Sequence, residues 1–154
     1  MFKNTILITV LIFTMSCGYE ALHSKKNRLK GNNFSINKIN FIGDREINIK
    51  IKEKLSIYSN DIKDKHYNLD INSESLKTTI GKDVKGDPSI FNLSVKVIVI
   101  LNQGDDTSKQ LIFNENFKYD NNKDKFEIKR YEREIKQNLA ETISNSLIDK
   151  LSNI

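Results

Sequence analysis

The chain of 154 residues contains no tryptophan, one cysteine, one proline and six glycines. A single cysteine excludes a framework of internal disulfides and a zinc site built from cysteines. So little proline and glycine excludes a collagen-like chain and a Gly/Pro-rich disordered chain. The remaining composition, 38% hydrophobic and 29% charged, suits one globular domain rather than a large multidomain enzyme. The net charge of +5, from 25 Lys and Arg against 20 Asp and Glu, favours anionic partners without identifying them.

The N-terminus has the three parts of a secretory signal peptide. Lys3 supplies a positive charge, residues 5–15 form an apolar run, and small residues follow it. The run is shorter than the roughly 20 apolar residues that a transmembrane helix needs. Residues 14–17 (TMSC) resemble a bacterial lipobox, in which the cysteine thiol receives a diacylglycerol and the cysteine becomes the new N-terminus. The alternative is a free Cys17 in an ordinary signal peptide that is cleaved elsewhere.

Acylation of Cys17 would anchor the protein, because each buried CH₂ contributes about 0.8 kcal/mol and two or more acyl chains hold a protein stably on a bilayer. Gly18 stands where an aspartate would resemble the signal that retains lipoproteins in the inner membrane, so the outer membrane of a Gram-negative cell is favoured. The polar, lysine-rich segment that follows is typical of a tether. We therefore expect a signal peptide at residues 1–16, an acylated N-terminus and tether at 17–33, and one domain at 34–154.

Hydrophobic spacing in the domain predicts six elements in the order β-α-β-β-β-α. Strands are predicted over residues 34–42, 66–80 and 91–101, and in a fourth segment around 111–119. Asp44 is the expected N-cap of the first helix, because the apolar residues at 47, 51, 55 and 58 share one helical face. Alternation within residues 46–52 leaves a strand open as the competing interpretation.

Residues 126–151 are predicted to form a long amphipathic helix. Its apolar stripe comprises Ile128, Tyr131, Ile135, Leu139, Ile143, Leu147 and Leu151. Its opposite side is expected to carry Glu127, Lys129, Arg130, Glu132, Arg133, Glu134 and Lys136. The predicted fold is a small two-layer α+β sandwich, with two helices on one face of a mainly antiparallel four-stranded sheet.

Candidate catalytic and metal-binding residues are few. His23 and His66 have no second His or Cys at ligand spacing. The adjacent acids Asp105 and Asp106 lie in a glycine-containing turn, where turn chemistry explains them. Residues 120–124 begin like a calcium loop, but the central glycine is missing and position twelve is Tyr131. With no Gly-rich phosphate loop and no Gly-x-Ser-x-Gly motif, we expect no enzyme, no metal and no cofactor other than the covalent lipid on Cys17.

Exposed aromatics among basic residues would indicate a nucleic-acid partner. Phe113, Phe117 and Tyr119 share one face of the fourth predicted strand, but that face matches the core face of its neighbour. We therefore expect these rings in the core and, with secretion across the inner membrane, no nucleic-acid binding.

Three short motifs and the order of elements resemble a known family. Residues 17–19 (CGY), the helix start at 42–45 (IGDR) and residues 139–143 (LAETI) of the closing helix are similar to the LptE family of lipopolysaccharide-assembly lipoproteins, in its alphaproteobacterial form. The resemblance covers nearly all of the mature chain. It departs from the family after Tyr19, where residues 20–22 (EAL) replace a proline or an Arg-Gly element that is common in the family.

The resemblance implies a non-enzymatic lipoprotein on the periplasmic side of the outer membrane, held in the inner leaflet by its acyl chains. It would plug the lumen of an LptD-type β-barrel, assist assembly of that barrel and take part in lipopolysaccharide transport. Lys82 and Lys85, in the loop at residues 81–88, are the candidate contacts for lipid A phosphates, although ordinary solvated charges explain them as well.

A function of a different class is also open. A free-standing periplasmic lipoprotein could bind a small apolar ligand or lipid on the sheet face without helices. This hypothesis predicts an exposed apolar patch around Ile98, Ile100 and Ile112.

Overall fold

The computed structural model describes residues 33–59, 63, 65–103, 107–122 and 124–154. The predicted signal peptide, Cys17, the tether with His23, and the Asp105–Asp106 pair lie outside the described residues. The described elements are β1 (Phe34–Gly43), α1 (Arg45–Leu55), one 3₁₀ turn (Ser56–Tyr58), β2 (Lys65–Lys82), β3 (Pro88–Gln103), β4 (Thr107–Asp120) and α2 (Lys125–Ser152). The predicted order and fold class are confirmed, and the first helix is a helix rather than a strand.

The four strands form one sheet in the order β1-β2-β3-β4. The β1–β2 pair is parallel, whereas β2–β3 and β3–β4 are antiparallel. A parallel pair needs a crossover connection, which α1 supplies here, while short turns suffice for the antiparallel pairs. A bulge between Ile36 and Lys38 interrupts β1.

The core lies between the two helices and one face of the sheet. Alternation along β3 points every second side chain at the helices, and all of these are buried: Leu93, Val95, Val97, Val99 and Leu101. Helix α1 buries Ile47, Ile51 and Leu55 against them. Helix α2 buries Ile128, Ile135, Leu139, Ala140, Ile143, Ser144, Leu147 and Leu151.

Some rings expected in the core are partly exposed. Tyr131 of α2 and Phe117 of β4 each remain 43% exposed, and Phe113 is half-buried, whereas Tyr119 is buried as expected. The prediction that Phe117 and Tyr131 are buried is wrong. Both side chains lie on the predicted face of their strand or helix, but the opposing layer does not extend far enough to cover them. Both side chains line a groove rather than a filled core.

One further expectation is corrected on α2, and two apolar side chains of β2 lie outside the core. Leu76 and Ile80 of β2 are exposed, because they alternate with the buried Tyr67, Leu69 and Ile71 and so lie on the face without helices. On α2, Glu132 and Lys136 were expected on the solvent side. Their side chains are only 23% and 20% exposed and point toward the sheet and α1, where partners of opposite charge hold them.

Candidate interaction surfaces

The helix start after β1 is the centre of a buried polar network. Gly43 adopts φ +97°, a region that favours glycine, and the amide of Asp44 donates to the carbonyl oxygen of Ser73 at 2.9 Å. The Asp44 carboxylate accepts from the amides of Glu46 and Ile47, which caps α1 as the sequence predicts. This turn therefore fixes α1 to β2 at the point where the helix begins.

The second oxygen of Asp44 ties the same turn to α2. It accepts from the Ser75 hydroxyl at 2.8 Å and from Lys136 Nζ at 2.9 Å. Lys136 also lies 3.3 Å from Glu46 Oε2. Burial would raise the pKa of Asp44, but the hydrogen bonds from Lys136, Ser75 and the Ile47 amide outweigh it, so the pKa lies below its usual value.

The pKa of Lys136 is shifted in the complementary direction. Burial would lower it, but the carboxylates of Asp44 and Glu46 outweigh burial and raise it above its usual value. Opposite shifts on two partners are what a mutually stabilising ion pair produces. The cluster therefore holds β2 and the two helices together.

A second polar cluster joins β2, β4 and α2. Glu132 accepts from Lys77 Nζ and from the Tyr119 hydroxyl, the latter at 2.7 Å. Lys77 Nζ lies 3.7 Å above the ring of Phe91, a cation–π contact. Burial would raise the pKa of Glu132, but the hydrogen bonds from Lys77 and Tyr119 hold it below its usual value. Burial and the Glu132 carboxylate together raise the pKa of Tyr119 far above its usual range.

The two lysines proposed for lipid A lie at the tip of the β2–β3 hairpin. Lys82 ends β2, Lys85 follows in the turn, and both are exposed, with no ion-pair partner among the described residues. Asp83 organises the turn by accepting from the amides of Lys85 and Asp87, each at 2.9 Å. Val84, between the two lysines, is fully exposed. The structure thus brings two free cations and one apolar side chain together at one end of the sheet.

The sheet face without helices, which we call the open face, is nearly neutral and rich in asparagine, and it also carries exposed apolar side chains. It carries seven asparagines, which are Asn40, Asn68, Asn72, Asn92, Asn102, Asn114 and Asn116. Its charged residues along the same register are Lys38, Lys96 and Lys118 against Asp70, Glu74 and Asp120. Asp70 accepts from Asn40 at 2.6 Å and from Asn102 at 3.1 Å, so a hydrogen-bond ladder crosses three strands.

The apolar patch proposed for a ligand also lies on the open face. Ile98 of β3 is directly opposite Ile112 of β4, and Ile100 is the next residue of β3 on that face. Ile100 and Ile112 are 39% and 54% exposed, and Ile98 is half-buried between them. The sequence therefore predicted an exposed apolar group of side chains at this place on the sheet.

Sequence reasoning did not find the groove of about 670 Å³ between β4 and the first half of α2. Two aromatic residues, Phe117 and Tyr131, line the groove. Its other lining residues include two cations, Lys118 and Arg130, and two anions, Glu127 and Glu134. Its only signal in the sequence is the pair of aromatic residues, Phe117 and Tyr131, within their apolar stripes.

In residues 33–154, apart from the undescribed gaps, no group of three His, Cys, Asp or Glu side chains is arranged to hold a metal ion. Neither described helix combines the length and apolar content that crossing a bilayer would require.

No protein-family description and no curated protein sequence matches the chain. Solved structures do. The chain is similar to rare lipoprotein B from Shewanella oneidensis, with a TM-score of 0.57 and 13% identity over 76% of this chain and 98% of the other. It is also similar to a minor lipoprotein from Acinetobacter baumannii, with a TM-score of 0.56 and 8% identity over 76% of this chain and 91% of the other. A third similar structure is that of a protein described as a lipoprotein from Caulobacter crescentus. Its TM-score is 0.50, with 9% identity over 75% of this chain and 88% of the other. At these identities the likeness is one of fold, and the described domain has a fold that occurs in bacterial lipoproteins.

Proposed function

We propose that this chain is a non-enzymatic outer-membrane lipoprotein that plugs an LptD-type β-barrel, assists its assembly and takes part in lipopolysaccharide transport. The observation that carries the proposal is the fold, which covers 98% of the chain of rare lipoprotein B. The lipobox-like residues 14–17 and the family-like motifs at 17–19 and 42–45 support the same assignment. Acylation of Cys17 would hold the domain on the periplasmic side of the outer membrane.

The open face supports a role inside a barrel. The lumen of a large outer-membrane barrel is polar, so a plug must offer hydrogen bonds over a broad surface. Asparagine side chains provide donors and acceptors without a net charge to desolvate, and seven of them lie on this face. A neutral, asparagine-rich surface is therefore suited to pack against lumen side chains.

The hairpin tip supports contact with lipopolysaccharide. Lys82 and Lys85 are free to reach the phosphates of lipid A, and Val84 between them is free to meet an apolar part of the same molecule. The tip lies at the end of the antiparallel β2–β3 hairpin, away from the core, so it can contact a ligand without disturbing the core.

The first experiment recovers the tagged full-length protein from detergent-solubilised outer membranes. We expect a heat-modifiable barrel at about one to one, and recovery of a membrane-bound protein alone would refute the plug role. Cys17→Ala tests the anchor separately, since an unchanged membrane fraction would argue against acylation.

The second experiment measures lipopolysaccharide bound to the same preparation. Lys82→Ala/Lys85→Ala is expected to reduce it severalfold, because two cations near the phosphates are lost, while barrel recovery stays unchanged. The matched control is Lys52→Ala/Lys150→Ala, which removes two exposed helix lysines. An equal loss in both double variants would show a general charge effect and not a site at the hairpin tip.

A second candidate function, binding of a small apolar ligand by a free-standing lipoprotein, is favoured by the exposed Ile98–Ile112 pair and Ile100. Mass spectrometry of lipids that co-purify with the protein checks it. If this function holds, Ile100→Asn removes the bound lipid, and the barrel is absent from the preparation.

A further inference from the structure

β4 is a long edge strand without the proline or bulge that commonly protects an edge, although it carries charged side chains such as Lys109 and Glu115. It pairs with β3 in continuous register from Thr107 to Asp120, and its other side has no strand partner among the described residues. Proteins commonly blunt such edges with proline, a bulge or a very short strand. The opposite edge strand, β1, has a bulge after Ile36, but β4 is 14 residues long and has neither proline nor bulge. Every second residue of β4 therefore presents its backbone N–H and C=O away from the sheet.

The sequence of β4 is complementary to itself when reversed about Ile112. In an antiparallel pair of two β4 strands centred there, residues equally far from Ile112 face each other on the same side of the sheet. Lys109 then faces Glu115 of the second copy, and Leu111 faces Phe113. On the open face, Ile112 faces its own counterpart, and Gln110 faces Asn114. Opposite charges, apolar side chains and amides are thus each matched.

The surroundings of this segment leave room for such a strand. Lys109 and Glu115 have no ion-pair partner among the described residues. Leu111 and Phe113 point to the helix side of the sheet but are only half-buried, whereas Tyr119, farther along β4, is buried against α2. The self-complementary part of β4 is therefore only partly covered by the helices.

We propose that β4 is a homodimerisation edge, in which two copies pair antiparallel about Ile112 and join their sheets into one of eight strands. The occupant is a second copy because each interaction across the edge is satisfied by the same segment of the partner. The inference does not depend on the barrel or on lipopolysaccharide, and it concerns the protein when the barrel is absent.

The test is the oligomeric state of the full-length protein in detergent, measured by sedimentation equilibrium. Lys109→Glu places two acidic side chains opposite each other on each side of the dyad. The dissociation constant of the dimer should therefore rise about tenfold. Glu115→Lys should do the same with two cations. The double variant Lys109→Glu/Glu115→Lys restores opposite charges and should return the affinity to the wild-type value, which a nonspecific charge effect would not. Lys52→Glu, the same charge change on α1, is the matched control and should leave the affinity unchanged.

The register is tested separately by oxidation. In a Cys17→Ala background, Ile112→Cys places two thiols at the dyad, and we expect a disulfide-linked dimer of the purified protein after oxidation. Ile42→Cys, on the open face of β1, should give none. A wild-type protein that stays monomeric at every concentration overturns the proposal. So does a dimer that the charge reversals leave unchanged or that the double variant does not rescue. Cross-linking of position 112 to a different protein, without a homodimer, would assign the edge to another partner and also refute it.

Discussion

Asp44 has two roles that a substitution can separate. Asp44→Ala removes the cap of α1 together with the acceptor for Ser75 and Lys136. Loss of an N-cap costs about 1 kcal/mol, and the two hydrogen bonds to a carboxylate that is mostly buried add about 2 kcal/mol. Lys136 keeps Glu46 as a partner, so no cation is left alone and the total stays near 3 kcal/mol.

The chain provides a matched control in Asp124, the N-cap of α2. Its carboxylate accepts from the amides of Phe126 and Glu127, at 2.8 and 3.2 Å, and makes no ion pair among the described residues. Asp124→Ala should therefore cost the cap alone, about 1 kcal/mol. Asp44→Asn should lie between the two alanine variants, because asparagine still caps the helix but removes the charge that pairs with Lys136.

The assay is urea unfolding followed by far-UV circular dichroism, on proteins that share the Cys17→Ala background. The expected order of the free energy of unfolding is Asp124→Ala, then Asp44→Asn, then Asp44→Ala as the least stable. The last variant should also lower Tm by about 10 °C. Equal losses for the two alanine variants would refute the reasoning, because they would show that the bonds to Ser75 and Lys136 contribute nothing beyond the cap.

Two further predictions concern the same region. Gly43→Ala should cost about 3 kcal/mol or more in urea unfolding, because φ is +97° and an added Cβ would lie 1.9 Å from the Ser73 carbonyl oxygen; Gly86→Ala, at φ +87° in open space, should cost only about 1 kcal/mol. The free energy of unfolding should fall as the pH drops below about 4, because the pKa values of Asp44 and Glu132 are lower in the folded protein than in the unfolded chain. Their contribution is complete above the unfolded-state pKa and is lost as the pH passes down through the folded-state pKa; a flat profile between pH 7 and 3 would contradict it.

Periodicity was sufficient to predict the elements and the fold class. The strict alternation of β3 and the spacing of Ile47, Ile51 and Leu55 each specify one buried face, and one buried face per element leaves few ways to stack them. The choice of helix over strand for residues 46–52 depended on the length of the segment and on its continuation through residues 53–55.

Periodicity could not show how far one layer of the fold extends over the side chains of the other. Phe117 and Tyr131 follow the apolar pattern as well as their buried neighbours do, yet no second layer covers them. It also could not show that Lys136 turns inward, because its partner Asp44 is 92 residues away and no local pattern records a contact between polar residues so far apart. The interaction surfaces were harder still, since exposed lysines and asparagines look alike in a sequence whether or not a partner meets them.

The motif at residues 42–45 is a structural motif, and this limits what it says about function. Gly43 permits the turn, the Asp44 amide binds β2, and the Asp44 side chain caps α1 and binds Lys136 of α2. Each residue of the motif that has a clear role acts within the domain, so the motif bears on the fold and not on a partner. The function must instead lie in residues that the fold leaves outside, which are the hairpin tip, the open face and the β4 edge. For that reason the experiments that decide the function substitute Lys82, Lys85 and Lys109, whereas those on Gly43 and Asp44 decide only whether the domain folds as described.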